Sequence, residues 1–274
     1  MQIPGIKESI QDIQQIARHL YDSDLEGYHH DFLGRRFHLM AVRKGIKSGA
    51  ELKDAFVNNE DFSREILNSL NVSVTELFRD PEFFRGLITI LKAEWNPEDL
   101  KRIWHAGCAD GSETFSLAIL LSEENLLCHS LLYGTDINHL KLQQASLGKI
   151  ALKDLIGYVH AYRKAGGKYS LRSHFNTAYH QGILKGKLMK HLHFGYHNLS
   201  VDPAFTNCNL AICRNLLIYY QFPYQEKILA ALDKSILLNG ILCLGPKETL
   251  SGFSIVGKYH CISPELKIYK KIKL

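Results

Sequence analysis

Three acids and one arginine stand where this chain would present them to a ligand. Glu113 follows Trp104-His105-Ala106-Gly107-Cys108-Ala109-Asp110-Gly111-Ser112, an apolar strand end that passes into a small-residue turn and then a helix. Small residues let backbone approach a ligand closely, and a helix opening at Ser112 points its positive end into that turn. A dinucleotide fingerprint needs Gly-x-Gly-x-x-Gly. Here Cys108 and Ala109 separate Gly107 from Asp110-Gly111, and the carboxylates of Asp110 and Glu113 would repel a pyrophosphate. The turn therefore suits a cationic ligand, although a purely structural strand–helix turn looks the same.

Further residues narrow the choice. Asp136, in Gly134-Thr135-Asp136-Ile137-Asn138, falls at the end of the next strand. A carboxylate there can accept both ribose hydroxyls of an adenosine, or equally cap the helix that follows. His197-Asn198-Leu199 and Cys213-Arg214-Asn215-Leu216 end the third and fourth strands. All four ends fall on the carboxyl edge of one sheet, where open α/β sheets bind ligands. Arg214 closes a buried strand and needs an anion. An ion pair with Glu113 or Asp136 would satisfy it and could coexist with cofactor binding.

The elements that hold these residues are legible from periodicity. Residues 1–70 read as helices. Ile6, Ile10, Ile13, Ala17 and Leu20 form one apolar stripe, and Leu33, Phe37 and Met40 a second that ends at Gly45. Ser48 and Glu51 form a capping box, and Asp61 is the expected cap of a further helix holding Ile66, Leu67 and Leu70. Pro81 opens a helix that runs to about Ala93. Strands and helices then alternate. The strands are predicted at 102–106, 130–134, 191–196, 210–213 and 240–244, and the helices at 112–122, 139–147 and 223–238. This alternation implies a mostly parallel, doubly wound, Rossmann-like α/β sheet. Residues 254–259 and 266–272 are expected to close it as an antiparallel hairpin turning at 261–265. Residues 149–190 are too long for a simple connection and predict an inserted small subdomain. The expected organisation is a helical domain at 1–72, a linker helix at 73–98 and the sheet domain at 99–274.

Composition excludes several classes. The chain has 274 residues, of which 46% are hydrophobic and 22% charged, enough for a packed core. The net charge of +5 suits an acidic partner surface without demanding nucleic acid. The six cysteines include no Cys-x-x-Cys pair and predict reduced, buried thiols. The fourteen histidines, including His29-His30 and the pair His191 and His193, show no recognised four-ligand spacing, so no metal is expected. The first twenty residues carry Glu8, Asp12 and Arg18, and no apolar run reaches membrane-span length. A soluble cytoplasmic protein is expected.

Several runs together resemble the chemotaxis-receptor glutamate O-methyltransferases, the CheR family, over nearly the whole chain. They are Gly27-Tyr28 with Leu33, Arg35-Arg36, Gly45-Ile46 and Leu52; Val74-Thr75-Glu76-Leu77-Phe78-Arg79-Asp80-Pro81; Ala106-Gly107-Cys108 with Gly111-Ser112-Glu113; and Cys213-Arg214-Asn215-Leu216-Leu217-Ile218-Tyr219-Tyr220. The resemblance implies a class I methyltransferase fold that uses S-adenosylmethionine, releases S-adenosylhomocysteine and needs no metal. It implies that Ser73, Thr75 and Arg79 line the cofactor site from the linker. Glu113 and Asp136 would hold the amino and ribose groups, Asn198 and Leu199 frame the adenine, and Arg214 and Asn215 complete the floor. Tyr219 would sit near the transferred methyl, and Arg79 and Tyr219 are the residues expected to carry catalysis. Arg35, Arg36 and Arg43 would dock on acidic cytoplasmic helices of chemoreceptors. Two positions depart from the family: Leu77 stands where a phenylalanine is usual, and Lys247 in Gly245-Pro246-Lys247-Glu248 replaces a small residue.

A glutamate acceptor, with a pKa of about 4.3, is already ionised at neutral pH, so no catalytic histidine or Ser–His pair is expected. The missing phosphate fingerprint disfavours an oxidoreductase. Arg214-Asn215-Leu216, standing where a nucleic-acid methyltransferase would carry Asn/Asp-Pro-Pro-aromatic, disfavours that class. A catalytically inactive signalling adaptor that keeps the fold, or a methyltransferase acting on another protein, are the alternatives.

Overall fold

The computed structural model describes residues 3–21, 23, 25–70, 75–178 and 180–274. The chain divides into two compact units, Met1–Val72 with Tyr219–Gln225, and Ser73–Ile218 with Glu226–Leu274.

The first unit is helical. α1 (Ile6–Tyr21) buries Ile6, Ile10, Ile13 and Ala17 along one face, and α2 (His30–Lys44) buries Leu33, Phe37 and Met40. Gly45 ends α2 with φ 71°, a left-handed conformation glycine adopts without strain. α3 (Gly49–Asn58) begins at Ser48, whose side chain accepts from the Glu51 amide at 3.2 Å; the Glu51 carboxylate reaches back to the Lys47 amide at 2.8 Å. α4 (Glu60–Leu70) is capped by Asn59, whose Oδ1 accepts from the Phe62 amide at 3.0 Å. The expected cap, Asp61, lies inside the first turn, where its charge favours the helix N-terminus but its side chain is past the capping position. The segment Tyr219–Gln225 belongs to this unit: Tyr220 bridges Tyr28 with ring centroids 4.7 Å apart, and the Tyr219 carbonyl accepts from the His29 amide at 2.9 Å.

The second unit is a seven-stranded sheet in the order β6-β2-β1-β7-β8-β10-β9. The strands are β1 (Lys101–Ala106), β2 (Ser130–Asp136), β6 (Leu192–Tyr196), β7 (Cys208–Cys213), β8 (Ile236–Leu244), β9 (Tyr259–Ser263) and β10 (Ile268–Lys271). β6, β2, β1, β7 and β8 pair in parallel, while β10 runs antiparallel to both β8 and β9. This is the doubly wound, mostly parallel Rossmann-like sheet that the sequence predicts, with an antiparallel end. α5 (Pro81–Glu94), α6 (Ser112–Glu123), α7 (His139–Leu147) and, from Glu226 onward, α11 (Phe222–Ser235) are its long helices. One core holds Phe83, Phe84 and Leu87 of α5, Phe115 and Leu117 of α6, and Ile103, Leu132, Leu210, Ile212 and Ile241 of the strands.

Residues 149–190 hold β3 (Lys149–Ala151), α8 (Leu152–Gly157), α9 (Val159–Lys164), β4 (Phe175–Ala178), β5 (Gln181–Leu184) and α10 (Gly186–Met189). The three strands form a separate antiparallel sheet, β3-β5-β4. Glu123, at the end of α6, anchors the insertion through α9 and the segment that leads into β4. Its carboxylate accepts from the Tyr162 hydroxyl, from His174 Nε2 at 2.8 Å and from the Lys168 amide at 2.8 Å.

Two stretches differ from expectation by more than two residues. The helix expected to reach Leu238 stops at Ser235, and Ile236-Leu237-Leu238 is the start of β8. A short apolar run satisfies both periods, and here pairing of Cys208 with Ile236 selects the strand. The closing hairpin is shifted along the chain. Ser254–Lys258 is a 3₁₀ turn, the residues expected to turn at 261–263 are strand, and Lys267 (φ 55°) lies in the actual turn.

Candidate functional site

The rim residues converge at the carboxyl edge of the parallel strands. Arg214 leaves the end of β7 buried, with its side chain 2% exposed. Its Nη1 donates to Glu113 Oε2 and its Nη2 to Asp80 Oδ2, each at 2.7 Å. The guanidinium carbon lies 3.9 Å from the centroid of Phe83, within cation–π range. Burial alone would lower the pKa of Arg214; the two carboxylates outweigh it and raise it. The expectation of a pair with Glu113 or Asp136 is met by Glu113, and the second anion is Asp80. Asp136 is engaged elsewhere: Oδ2 accepts from the Ala109 amide and Oδ1 from the Asn138 amide, both at 2.9 Å. Burial pushes the Asp136 pKa up against the lowering effect of these amides. The helix α7 is capped by Asn138, whose Oδ1 accepts from the Lys141 amide at 3.1 Å.

Unusual backbone concentrates here. Phe78 (φ 57°), Asp80 (φ 55°), Ala109 (φ 52°) and Asn215 (φ 58°) are left-handed non-glycine residues. Such conformations persist only where surrounding contacts impose them, and they cluster at ligand sites. Three contacts are visible. Ser116 Oγ accepts from the Phe78 amide at 2.8 Å, tying the linker to α6. Asp136 holds the Ala109 amide. Glu248, 4% exposed, accepts from the amides of Asn215, Leu216 and Leu217. The fields meet at Cys108, whose thiol is pushed well above its ordinary pKa by burial and then by Asp136, Asp110 and Glu113.

The remaining expected residues fall as follows. Ser73 lies outside the described residues. Thr75 is half-buried, and Arg79 is exposed between Phe78 and Asp80. Asn198 is in an Asx turn, its Oδ1 accepting from the Ser200 amide at 3.0 Å, and Leu199 is buried. Asn215 is half-buried. Tyr219 belongs to the helical unit, its ring 4.8 Å from that of Phe32. On α2, Arg35 and Arg43 are exposed, and Arg36 is half-buried over the Phe32 ring at 5.7 Å. Lys44 of α2 and Lys53 of α3 pair with Glu65 and Asp12, both at 2.7 Å.

Sequence reasoning missed Asp80, Glu248 and His105. Asp80 is at the N-terminus of α5 but spends its carboxylate on Arg214. His105 on β1 is 1% exposed, and neither ring nitrogen has a partner among the described residues. Its burial, with opposing effects from Glu113 and Arg214, pushes its pKa down to about 4. Beside the rim, a cleft of about 510 Å³ opens between the linker and the inserted subdomain, lined by Glu76, Arg79, Asp80, Lys153, Asp154 and Tyr158 among others.

The acceptor set at the rim suits a cationic ligand. Arg214 takes one oxygen each from Glu113 and Asp80, leaving a second acceptor on each carboxylate for an ammonium group. Among the described residues, no cluster of three or more histidine, cysteine or acidic side chains is arranged to hold a metal, and no helix is long and apolar enough to cross a membrane.

Residues 73–263 match the model of the CheR methyltransferase, SAM-binding domain family. The chain is 30% identical over 255 residues to Cher3 of Pseudomonas putida, named provisionally as a methyltransferase, covering 92% of each chain. It is 22% identical over 259 residues to the chemotaxis protein methyltransferase of Listeria innocua, covering 90% of this chain and 92% of that one. It is 26% identical over 243 residues to chemotaxis protein methyltransferase 1 of Pseudomonas aeruginosa, covering 79% of this chain and 81% of that one.

Proposed function

The chain belongs to the CheR methyltransferase family, and from that premise we propose that it transfers a methyl group from S-adenosylmethionine to glutamate side chains of chemoreceptor cytoplasmic helices. The observation that carries this reading is the acidic rim, in which Glu113 and Asp80 share the buried Arg214 while Asp136 stands at the end of the neighbouring strand pair. S-adenosylmethionine supplies an electrophilic methyl on a sulfonium. In this reading Glu113 receives the cofactor's ammonium, Asp136 its ribose hydroxyls, and Asn198 and Leu199 frame the adenine. Arg214 and Asn215 form the floor, and Thr75 and Arg79 flank it from the linker, with Ser73 assigned there by resemblance.

The acceptor carboxylate is ionised at neutral pH, so the site needs no general base. Its anionic charge and the sulfonium's positive charge cancel as the methyl moves. Tight binding of either ion would slow the step, so the protein contributes alignment and exclusion of water. The resemblance assigns Arg79 and Tyr219 to this alignment. Arg35, Arg36 and Arg43 on α2 supply a basic surface for acidic receptor helices, in keeping with the chemotaxis names of the relatives and a cytoplasmic setting.

The test is transfer of tritiated methyl from S-adenosylmethionine to recombinant receptor cytoplasmic fragments. Carboxyl esters release the label as methanol in mild base. Base-labile label confined to glutamate-containing peptides supports the reading. Base-stable label, or binding of S-adenosylhomocysteine with no transfer to any receptor, overturns it.

A further inference from the structure

We propose that Glu248 is the positioning residue that fixes the Arg214-Asn215 rim for cofactor binding, an inference that rests on the reading of this rim as the S-adenosylmethionine site. One carboxylate collects four backbone amides. Oε2 accepts from Asn215 at 3.0 Å and Gly245 at 2.5 Å, and Oε1 accepts from Leu216 at 2.9 Å and Leu217 at 2.8 Å. Three of these donors are consecutive residues of the turn that leaves β7 directly after Arg214. The first, Asn215, is held left-handed at φ 58°. Outside glycine that conformation is disfavoured, and the carboxylate imposes it by orienting three successive N–H groups toward one point. The turn in turn sets where Arg214 leaves the strand to meet Glu113 and Asp80.

The arrangement requires an anion that only accepts. An amide at this position would turn an N–H₂ donor toward backbone donors, leaving part of the set without an acceptor in a buried site. It also requires Gly245, because a Cβ there would fall 2.6 Å from Glu248 Oε2 and 2.7 Å from the Asn215 nitrogen. Lys247, by contrast, is exposed. The run Gly245-Pro246-Lys247-Glu248 thus keeps the two residues the cage needs and varies at a residue that points to solvent.

The experiment titrates S-adenosylhomocysteine into the wild type, Glu248→Gln, Glu248→Asp and Gly245→Ala by calorimetry, reading Kd and binding stoichiometry separately. Hydrogen exchange at the Leu216 and Leu217 amides is measured alongside. A misplaced rim weakens Kd in every folded molecule. A merely structural loss lowers the competent fraction and leaves Kd alone. We expect Glu248→Gln and Gly245→Ala each to weaken Kd about tenfold or more with stoichiometry near that of the wild type. Protection at Leu216 and Leu217 falls, and Glu248→Asp recovers part of the affinity. If Glu248→Gln does not fold, Gly245→Ala carries the comparison. An unchanged Kd in the folded variants, with or without reduced stoichiometry, overturns the role of Glu248 alone. Failure of the wild type to bind S-adenosylhomocysteine overturns the reading of the site and this inference with it.

Discussion

Arg214 Nη1 stands 2.7 Å from Glu113 Oε2, joining the end of β7 to the first turn of α6 across 101 residues of sequence. The arginine side chain is 2% exposed, while those of Glu113 and Asp80 are 20% and 45% exposed. The cost of breaking this group therefore depends on which side is removed. Arg214→Met leaves two carboxylates that reach water, and about 1–2 kcal/mol of stability is expected to be lost. The double variant Glu113→Gln, Asp80→Asn strands a buried guanidinium, and the expected loss is about 3–5 kcal/mol. Urea denaturation of both variants checks the order; equal losses would show that Arg214 is not the desolvated partner.

In the proposed reading Arg79, which also flanks the cofactor floor, and Tyr219 contribute more to alignment of the acceptor than to cofactor affinity. Arg79→Ala and Tyr219→Phe are expected to lower single-turnover methyl transfer at least about 100-fold, within the range alignment contributes. The Kd for S-adenosylhomocysteine should change less than about threefold. Calorimetry alongside a transfer assay makes the comparison. Parallel losses in both measurements would place these residues in cofactor binding.

His105 makes stability depend on pH in a definite direction. Its pKa is pushed down to about 4 in the folded chain, against about 6.5 when unfolded. Between those values the unfolded state binds a proton that the folded state does not. Stability therefore falls as pH falls from about 6.5 to 4 and is unaffected by this residue above that window. A depression of this size corresponds to about 3 kcal/mol at most. His105→Leu is expected to flatten that part of the profile, read as the difference from the wild type in denaturant melts at a series of pH values. Coincident slopes would show that the imidazole finds a partner in solution.

The strand-end residues were legible because a strand followed by a small-residue turn and a helix is a local pattern. Glu113, Asp136 and Arg214 therefore fell at the sheet rim where the sequence put them, and α7 has the bounds its periodicity predicts. What local pattern does not carry is the partner of a side chain far along the chain. Asp80 meets Arg214 across 134 residues, Glu248 reaches Asn215 across 33, and His174 meets Glu123 across 51. Each depends on topology, and none leaves a periodic trace. The displaced end of α11 and the shifted hairpin have a different cause. Ile236-Leu237-Leu238 is an apolar run that fits helix and strand alike, and Ser254–Lys258 alternates in sequence while turning in space.

The basic surface of α2 gives an expectation that salt can test. Arg36→Glu with Arg43→Glu is expected to weaken binding to a receptor cytoplasmic fragment about tenfold or more at low salt, the difference shrinking as ionic strength rises. Arg43 is exposed and Arg36 half-buried over Phe32. Circular dichroism of the variant therefore controls for lost packing on that ring. Unchanged binding at low salt would remove α2 from the docking surface.

Glu123 holds the inserted subdomain through a buried cluster that can be opened by substitution or by acid. Burial raises its pKa, but hydrogen bonds from His174, Tyr162 and the Lys168 amide outweigh that and leave it below the ordinary glutamate value. A depressed carboxyl pKa contributes stability that is present above the unfolded value of about 4.3 and is lost as pH falls through the folded value. Glu123→Ala removes the acceptor at any pH and leaves the Tyr162 hydroxyl, His174 and the Lys168 amide without it, at an expected cost of about 2–4 kcal/mol. The loss should be local. Hydrogen exchange is expected to rise over Val159–Lys164 and Leu171–His174, while β1 and β7 keep their protection. As the pH falls through that depressed value, the wild type should show the same pattern before it unfolds globally. A uniform rise across the sheet would mean that Glu123 supports the whole core rather than the attachment of the insertion.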